Sequence, residues 1–386
     1  LDVLGLVKRL AGDNPDQFTP TTRIAIDPWI RKVIATPDGE GSIKAIKKEL
    51  EKLADLESDL ITHVKGNKGI YSALPFDGGQ LYQGVLDTLL GNKELKGEKP
   101  KEYNILKYLQ RKILPDVRKN HGQPCPYYAM LLADGDHMGN LIKAAEGKKQ
   151  HQEISKCLSA FAQGVPAIAR GHQAHCIYAG GDDVLLMAPL DTVLPLADKL
   201  RTAFTEKLQK VADDLGKKAP TFSVGIVIAH MQTPIGRVRK LVSKAESLAK
   251  GSDTESPRNA LAIIVAPRSG ADIPFRARWE KEPVNGLNKL ANLYRNDKLP
   301  SGFGYELRQI DQLVHDMEDK ARAGEIAELE LERILNRKNQ GGGGKKVEQK
   351  TKDAVLDHAK SKGSFTMIWQ EHLIARWLGA HGEERG

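Results

Sequence analysis

Residues 127–134 read Tyr-Tyr-Ala-Met-Leu-Leu-Ala-Asp, an uncharged run closed by an acid. A run without alternation of polar and apolar positions fits a strand covered on both faces, so the chain needs a sheet with helices to cover it. Further short apolar runs occupy 174–179, 184–188, 221–229 and 260–266, and the segments 138–170, 192–215 and 234–250 between them read as helices. The order is β-α-β-β-α-β-α-β. The expected fold class is therefore α+β, a ferredoxin-like palm with an added helix-strand unit.

The runs at 174–179 and 184–188 flank Gly180-Gly181-Asp182-Asp183, which reads as a hairpin with the glycines at its tip. Alone, that string has two readings of equal weight. Asp and Gly are ordinary turn residues, and adjacent carboxylates on a glycine turn also suit a divalent cation. Asp134, at the end of the first strand, shifts the balance: with that strand beside the hairpin, Asp134, Asp182 and Asp183 converge from distant parts of the chain. Three carboxylates and the carbonyl of Gly135 offer oxygen ligands to magnesium or manganese, with water and substrate phosphates completing the shell. Two such ions about 3.5 to 4 Å apart activate an attacking hydroxyl and stabilise the leaving phosphate oxygen. Gly180 and Gly181 lack side chains and let a triphosphate reach the backbone. Asp136 lies two residues beyond Asp134 and so on the same face of an extended segment; it either assists the metal or faces the turn that follows.

Four segments carry a family resemblance: Asp134-Gly135-Asp136-His137-Met138-Gly139, Tyr178 to Leu185 around the Gly-Gly-Asp-Asp, Ser223 to His230, and Ala245 to Lys250. Together they resemble the second palm of the large subunit of type III CRISPR RNA-guided effector complexes, and the first is closest to the Cmr (III-B) branch. Thr19 to Trp29 resembles a segment upstream of that palm. The resemblance implies synthesis of cyclic oligoadenylate from ATP once the assembled complex holds a target RNA complementary to its guide. It implies metal binding by Asp134, Gly135, Asp182 and Asp183, catalysis by the three acids, and nucleotide contacts from Gly135, Gly180, Gly181, Ser223 and Lys250. It implies as partners the guide CRISPR RNA, the target RNA, small helical subunits and a guide-handle-binding subunit. For Lys250 and Ser223 the residues alone allow plainer readings, a lysine favoured at a helix C-terminus and a strand serine without a role. Arg258-Asn259 resembles a phosphate-contacting pair of diguanylate cyclases.

Two other functions stand beside this one. A catalytically silent palm would serve as a scaffold for RNA and partner subunits, which the intact acids argue against. A diguanylate-type cyclase normally has Glu-Phe where this chain has Asp183-Val184.

The 386 residues suggest two or three domains. The division expected is a mainly helical linker domain at 1–120, the palm at 121–283 and an all-helical domain at 284–386. Within the first, Ile43, Ile46, Leu50, Leu53 and Leu60 share a helical face, so Ser42 to Ile61 reads as an amphipathic helix capped by Ser42. Within the last, Leu307, Ile310, Leu313 and Val314, then Ile326, Leu329, Leu331 and Ile334, keep helical spacing, and Gly341–Gly344 reads as a flexible break. A formal charge of +8 favours polyanionic partners. The surplus is clearest at 96–119 and 333–352, whereas 44–59 interleaves acids and bases as a solvated face does. Three cysteines without a Cys-x-x-Cys pair support neither a zinc ribbon nor a disulfide framework and fit a reducing cytoplasm. His315-Asp316 is similar to the dipeptide of HD nucleases, but lies in a charged amphipathic stretch and reads as ordinary surface. The chain begins at Leu1 and reads as part of a longer protein.

Overall fold

Six strands form one mixed sheet in the order β2-β3-β1-β4-β5-β6: β1 (Tyr127–Gly135), β2 (His175–Gly180), β3 (Asp183–Ala188), β4 (Phe222–His230), β5 (Ala260–Ala266) and β6 (Ile273–Arg278). This computed structural model describes residues 19–64, 70–251, 258–339, 345–361 and 365–379; the Gly341–Gly344 run lies outside them. Contacts divide the chain between Pro124 and Cys125 into two units.

In the first unit the helices are α1 (Thr21–Ile34), α2 (Gly39–Asp55), α3 (Ile70–Ala73), α4 (Gln83–Gly91), α5 (Lys93–Glu98), α6 (Pro100–Tyr108) and α7 (Leu114–His121). Its interior turns on Arg23, fully buried on α1, whose guanidinium pairs with Asp27 at 2.7 Å and donates to the carbonyls of Ile70, Leu74 and Phe76. One cation thereby fastens the 70–76 segment to α1. The expected helix at 42–61 is shifted: α2 starts at Gly39 and ends at Asp55, so Leu60 falls outside it. Glu57 takes a φ of 52° and Ser58 N–H bonds back to the Leu53 carbonyl, which closes the helix end. Ser42 is no cap; its hydroxyl donates to Asp38 within the first turn. Between α6 and α7 the turn Leu109–Ile113 widens to π geometry, with Leu114 N–H bonded to the Leu109 carbonyl. Pro115 has no N–H and would press on the carbonyl four residues back in a regular helix.

In the second unit β1 is central, antiparallel to both β3 and β4, and residues 127 to 131 are all buried. The order β2-β3-β1-β4 is that of a ferredoxin-like palm, and β5 adds in parallel to β4. The helices between strands are α8 (Met138–Ala144), α9 (Gly147–Gly171), α10 (Val193–Asp214) and α11 (Ile235–Lys250). Leu131, Ala133, Val184, Leu186, Phe222 and Val224 point to one face and join Phe161 of α9 and Phe204 of α10 in the core. Gly225 points to the other face, against the backbone of α11. Strand β6 was not expected from the sequence. It is an edge strand carrying Pro274, which only an edge tolerates.

After the sheet come α12 (Pro283–Arg295), α13 (Phe303–His315), α14 (Lys320–Arg337), α15 (Gln349–Lys360) and α16 (Phe365–Gly379), which share the core with the palm. Leu307, Ile310, Val314, Leu331 and Ile334 are buried as their spacing predicts, but Leu313 and Leu329 are each 66% exposed. His315 and Asp316 are both exposed. No helix among the described residues is long and apolar enough to cross a membrane.

His372 of α16 lies fully buried, its Nδ1 3.0 Å from the Tyr294 hydroxyl and its ring edge-on to Phe303. Burial holds its pKa down at about 3 against an ordinary 6.5. Between those values the unfolded chain binds the proton that the folded ring refuses, so stability falls as pH falls. We expect a loss of about 2 kcal/mol between pH 7 and pH 5, read by urea unfolding. In His372→Phe the loss shrinks; an unchanged pH slope in that variant would assign it to other groups.

Candidate active site

The β2–β3 hairpin pairs Gly180 with Asp183 around a two-residue turn, and Gly181 sits at a φ of +82°, as the first residue of a type II′ turn requires. Strand β3 then runs antiparallel to β1, with Ala133 opposite Val184. One further step of that register sets Asp134 beside Asp183. Gly135 explains how the two segments come so close: a Cβ there would lie 2.9 Å from the Cβ of Asp182 and 2.6 Å from the ring of Phe204. Phe204 in turn stacks on Phe222 with ring centroids 4.6 Å apart, so the mouth rests on packed aromatics.

The Asp134 and Asp183 carboxyls share a hydrogen bond. That bond, followed by burial and the charges of Asp134 and Asp182, pushes Asp183 up to about 7. Burial, with a contribution from the charge of Asp134, also raises Asp182. From the other side Lys250, at the C-terminus of α11, brings Nζ within 2.7 Å of Asp134 and also pairs with Glu246 one turn back. Burial opposes the lysine's charge, but the bonds to Asp134 and Glu246 together outweigh it and hold the ammonium above its usual range. Lys250 can reach because α11 lies directly on β4. A Cβ on Gly225 would stand 2.2 Å from the Glu246 amide nitrogen, a distance no side chain permits.

Asp136 takes neither of its two expected roles: its carboxylate turns to the start of β4 and the turn before β5. It is fully buried, and its carboxylate accepts from Thr221 Oγ1 at 2.8 Å, from Ser223 Oγ at 2.8 and 3.0 Å, and from Asn259 N–H at 2.9 Å, with Arg258 at 3.7 Å. Arg258 N–H bonds the Lys250 carbonyl at 2.7 Å, so the tie extends to the end of α11. Three residues near this carboxylate, His137, Arg258 and Asn259, have positive φ, at 60°, 64° and 45°. Such conformations persist only where surrounding bonds enforce them.

The structure thus brings Asp134, Gly135, Asp182, Asp183 and Lys250 to one place, with Gly180 and Gly181 forming the adjoining tip. Ser223, expected at a nucleotide, is instead fully buried and bonded to Asp136, beneath the mouth. Glu246, Gly225 and the Asp136 hub were not singled out from sequence as parts of the site. Glu246 had a signal, its spacing of four from Lys250 on a helix. Among the described residues no group of three or more His, Cys, Asp or Glu side chains is gathered to hold a metal by itself. The donor set fits magnesium better than a protein-enclosed ion, since magnesium typically takes one or two carboxylates and fills its octahedron with water and phosphate oxygens.

Residues 127–262 match the family described as "Cas10/Cmr2, second palm domain". The chain is 30% identical over 227 residues to the CRISPR system Cmr subunit Cmr2 of Pyrococcus furiosus, covering 51% of this chain and 24% of that protein. It is 31% identical over 198 residues to the subtype III-A single-strand-specific deoxyribonuclease Cas10/Csm1 of Enterococcus italicus, covering 48% and 23%. It thus spans about a quarter of the length of these relatives. A type III-B Cmr-beta structure bound to cognate target RNA aligns over 86% of this chain and 45% of its own, at 14% identity and a TM-score of 0.49.

Removing the Asp136 carboxylate leaves several buried donors unpaired at once. Asp136→Ala is expected to cost about 3 to 5 kcal/mol of unfolding free energy, whereas Asp182→Ala, on the hairpin turn, changes it by less than about 1 kcal/mol. Denaturant titration of the two variants checks the contrast.

Proposed function

Because this chain carries the second palm domain of a Cas10/Cmr2 large subunit of a type III CRISPR complex, we propose that its acidic mouth performs metal-dependent nucleotidyl transfer, joining ATP into cyclic oligoadenylate. The observation that carries this reading is the facing pair Asp134 and Asp183, flanked by Asp182 and a charged Lys250.

In the proposed reaction, the 3′-hydroxyl of one ATP gives up its proton to water and attacks the α-phosphate of a second; the new O–P bond forms as the bond to pyrophosphate breaks. Asp134 and Asp183, with Asp182 and the Gly135 carbonyl nearby, are the residues that would hold magnesium or manganese. When bound, the cations lower the pKa of the attacking hydroxyl and neutralise charge on the leaving oxygen. The chain's own part is positioning. Strands β1 and β3 hold two carboxylates in register, Gly181 leaves the backbone open to phosphate oxygens whereas the Tyr178 ring lies over Gly180, and Lys250 places a fixed positive charge where negative charge grows. No protein nucleophile is required.

Adenine as the base rests on the family resemblance, as do the guide CRISPR RNA, the target RNA and the neighbouring subunits as partners. In this reading RNA captured elsewhere in the complex switches synthesis on.

The test is incubation of the assembled complex with ATP, magnesium or manganese and complementary target RNA, with mass analysis of the products. We expect oligoadenylate from the native complex and none from the Asp182→Ala/Asp183→Ala variant, which still assembles. Absence of product from a native complex that binds target RNA normally would leave a scaffold role standing. Lys250→Gln is expected to lower kcat/KM for ATP by roughly 100-fold, and an unchanged value would place Lys250 outside the reaction.

A further inference from the structure

Glu246 is the acid beside the mouth to which the proposed reaction gives no part. It sits one turn before Lys250 on α11 with 14% of its side chain exposed, and among the described residues Lys250 is the cation it pairs with. Its main chain is pressed onto β4, where Gly225 has no side chain to hold it off. A glutamate four residues before a lysine is an ordinary helix pair, and the comparable Glu153–Lys156 pair of α9 stands well out in solvent. The pair on α11 differs in two ways. Both of its side chains are largely covered, and its lysine has a second anion, Asp134, at 2.7 Å.

An ammonium at that distance from Asp134 competes with any other cation for the carboxylate and repels it by charge. Lys250 must therefore loosen its hold wherever Asp134 serves as a metal ligand. A lysine freed from its only anion is a strongly hydrated charge on a flexible stem, and it moves out to water. Glu246 changes that outcome. Its backbone is fixed by the Gly225 contact, and it keeps one of the three ammonium donors engaged while the other two stay free for phosphate oxygens. Its charge also compensates the ammonium where water is mostly excluded.

We propose that Glu246 is a positioning residue: it draws Lys250 off Asp134 when that carboxylate turns to a divalent cation, and holds the ammonium at the mouth, aimed at the phosphates of the incoming nucleotide. The aim at phosphates rests on the nucleotidyl-transfer reading above. The competition of Asp134 and Glu246 for one lysine does not, and manganese alone reveals it.

The experiment reads manganese binding to the full chain by electron paramagnetic resonance, the signal being assigned to the mouth by its loss in Asp182→Ala/Asp183→Ala. Glu246→Gln keeps the shape of the side chain and removes its charge. Lys250 then has Asp134 alone, and manganese affinity is expected to fall about 10-fold. Lys250→Gln frees Asp134 and is expected to bind manganese more tightly than the native chain. Adding Glu246→Gln to Lys250→Gln is expected to alter that affinity by less than about 2-fold, because the effect of Glu246 runs through the lysine. Glu246→Asp, which keeps the charge, is expected to stay within about 3-fold of native. In the assembled complex with target RNA, Glu246→Gln is expected to raise KM for ATP about 10-fold with kcat within about 3-fold of native, and the doubly substituted complex to match Lys250→Gln. Additive losses from the two substitutions overturn the proposal, as do unchanged manganese affinity and KM in Glu246→Gln. A failure of the nucleotidyl-transfer reading looks different: the native complex makes no product while the manganese cycle holds, which keeps Glu246 as the partner that releases Asp134. Circular dichroism and urea unfolding confirm that the variants fold.

Discussion

A carboxylate taken wholly out of water must be met by donors, and at the mouth of this palm the carboxylate of Asp136 recruits them from two directions. Thr221 and Ser223 come from the start of β4, Asn259 from the turn before β5, and Arg258 from the same turn. Each bond to a buried charged group and each positive φ is worth a few kcal/mol at most, so it is the network as a whole, not any single bond, that holds the three strained residues in place. Strain and burial are thus two sides of one arrangement. Its product is a rigid frame: from Asp136 through Asn259 and Arg258 to the Lys250 carbonyl, and from Lys250 Nζ back to Asp134, two residues from the starting point.

Glycines set the distances inside that frame. At Gly135 the missing side chain allows the hairpin turn to lie against the end of β1, and at Gly225 it allows a helix backbone to touch a strand. The two contacts act on opposite faces of the sheet edge where Asp134 emerges. One brings Asp182 and Asp183 towards Asp134, the other brings Glu246 and Lys250. A methyl group at either position pushes apart elements whose side chains must meet within hydrogen-bond distance.

Much of this was legible before any coordinates. The uncharged run at 127–134 became the central, doubly covered strand, and the alternation of runs and helices became the palm order, because burial on both faces leaves a periodicity that needs no tertiary knowledge. Asp134 and Asp183 were legible as partners because each ends or begins a buried strand. Asp136 was not, since alternation offered the metal or the following turn, and it is the donors of Thr221 and Ser223, some 85 residues away, that claim the carboxylate instead. The same distance hid the true place of Ser223. Strand β6 was missed because an edge strand carries a weak pattern and Pro274 speaks against a strand unless its edge position is known. The end of α2 depended on a left-handed turn at Glu57, a conformation that glutamate does not advertise.

The mouth is also electrostatically unfinished, and that is what its chemistry requires. Asp134, Asp182 and Asp183 stand together with Lys250, whose charge is already divided between Asp134 and Glu246. Left to themselves, the acids stand close enough that the contact with Asp134, burial and the neighbouring negative charges raise Asp183 to about 7. Carboxylates free to move would separate instead. These cannot, because strand register fixes one pair, a glycine contact fixes the turn, and the buried Asp136 network fixes the strand ends. In the proposed reaction this frame maintains an acidic pair that a divalent ion would relieve, with phosphate oxygens completing its coordination. Rigidity two residues away from the reacting groups is the physical condition for such a site to exist on the edge of a sheet.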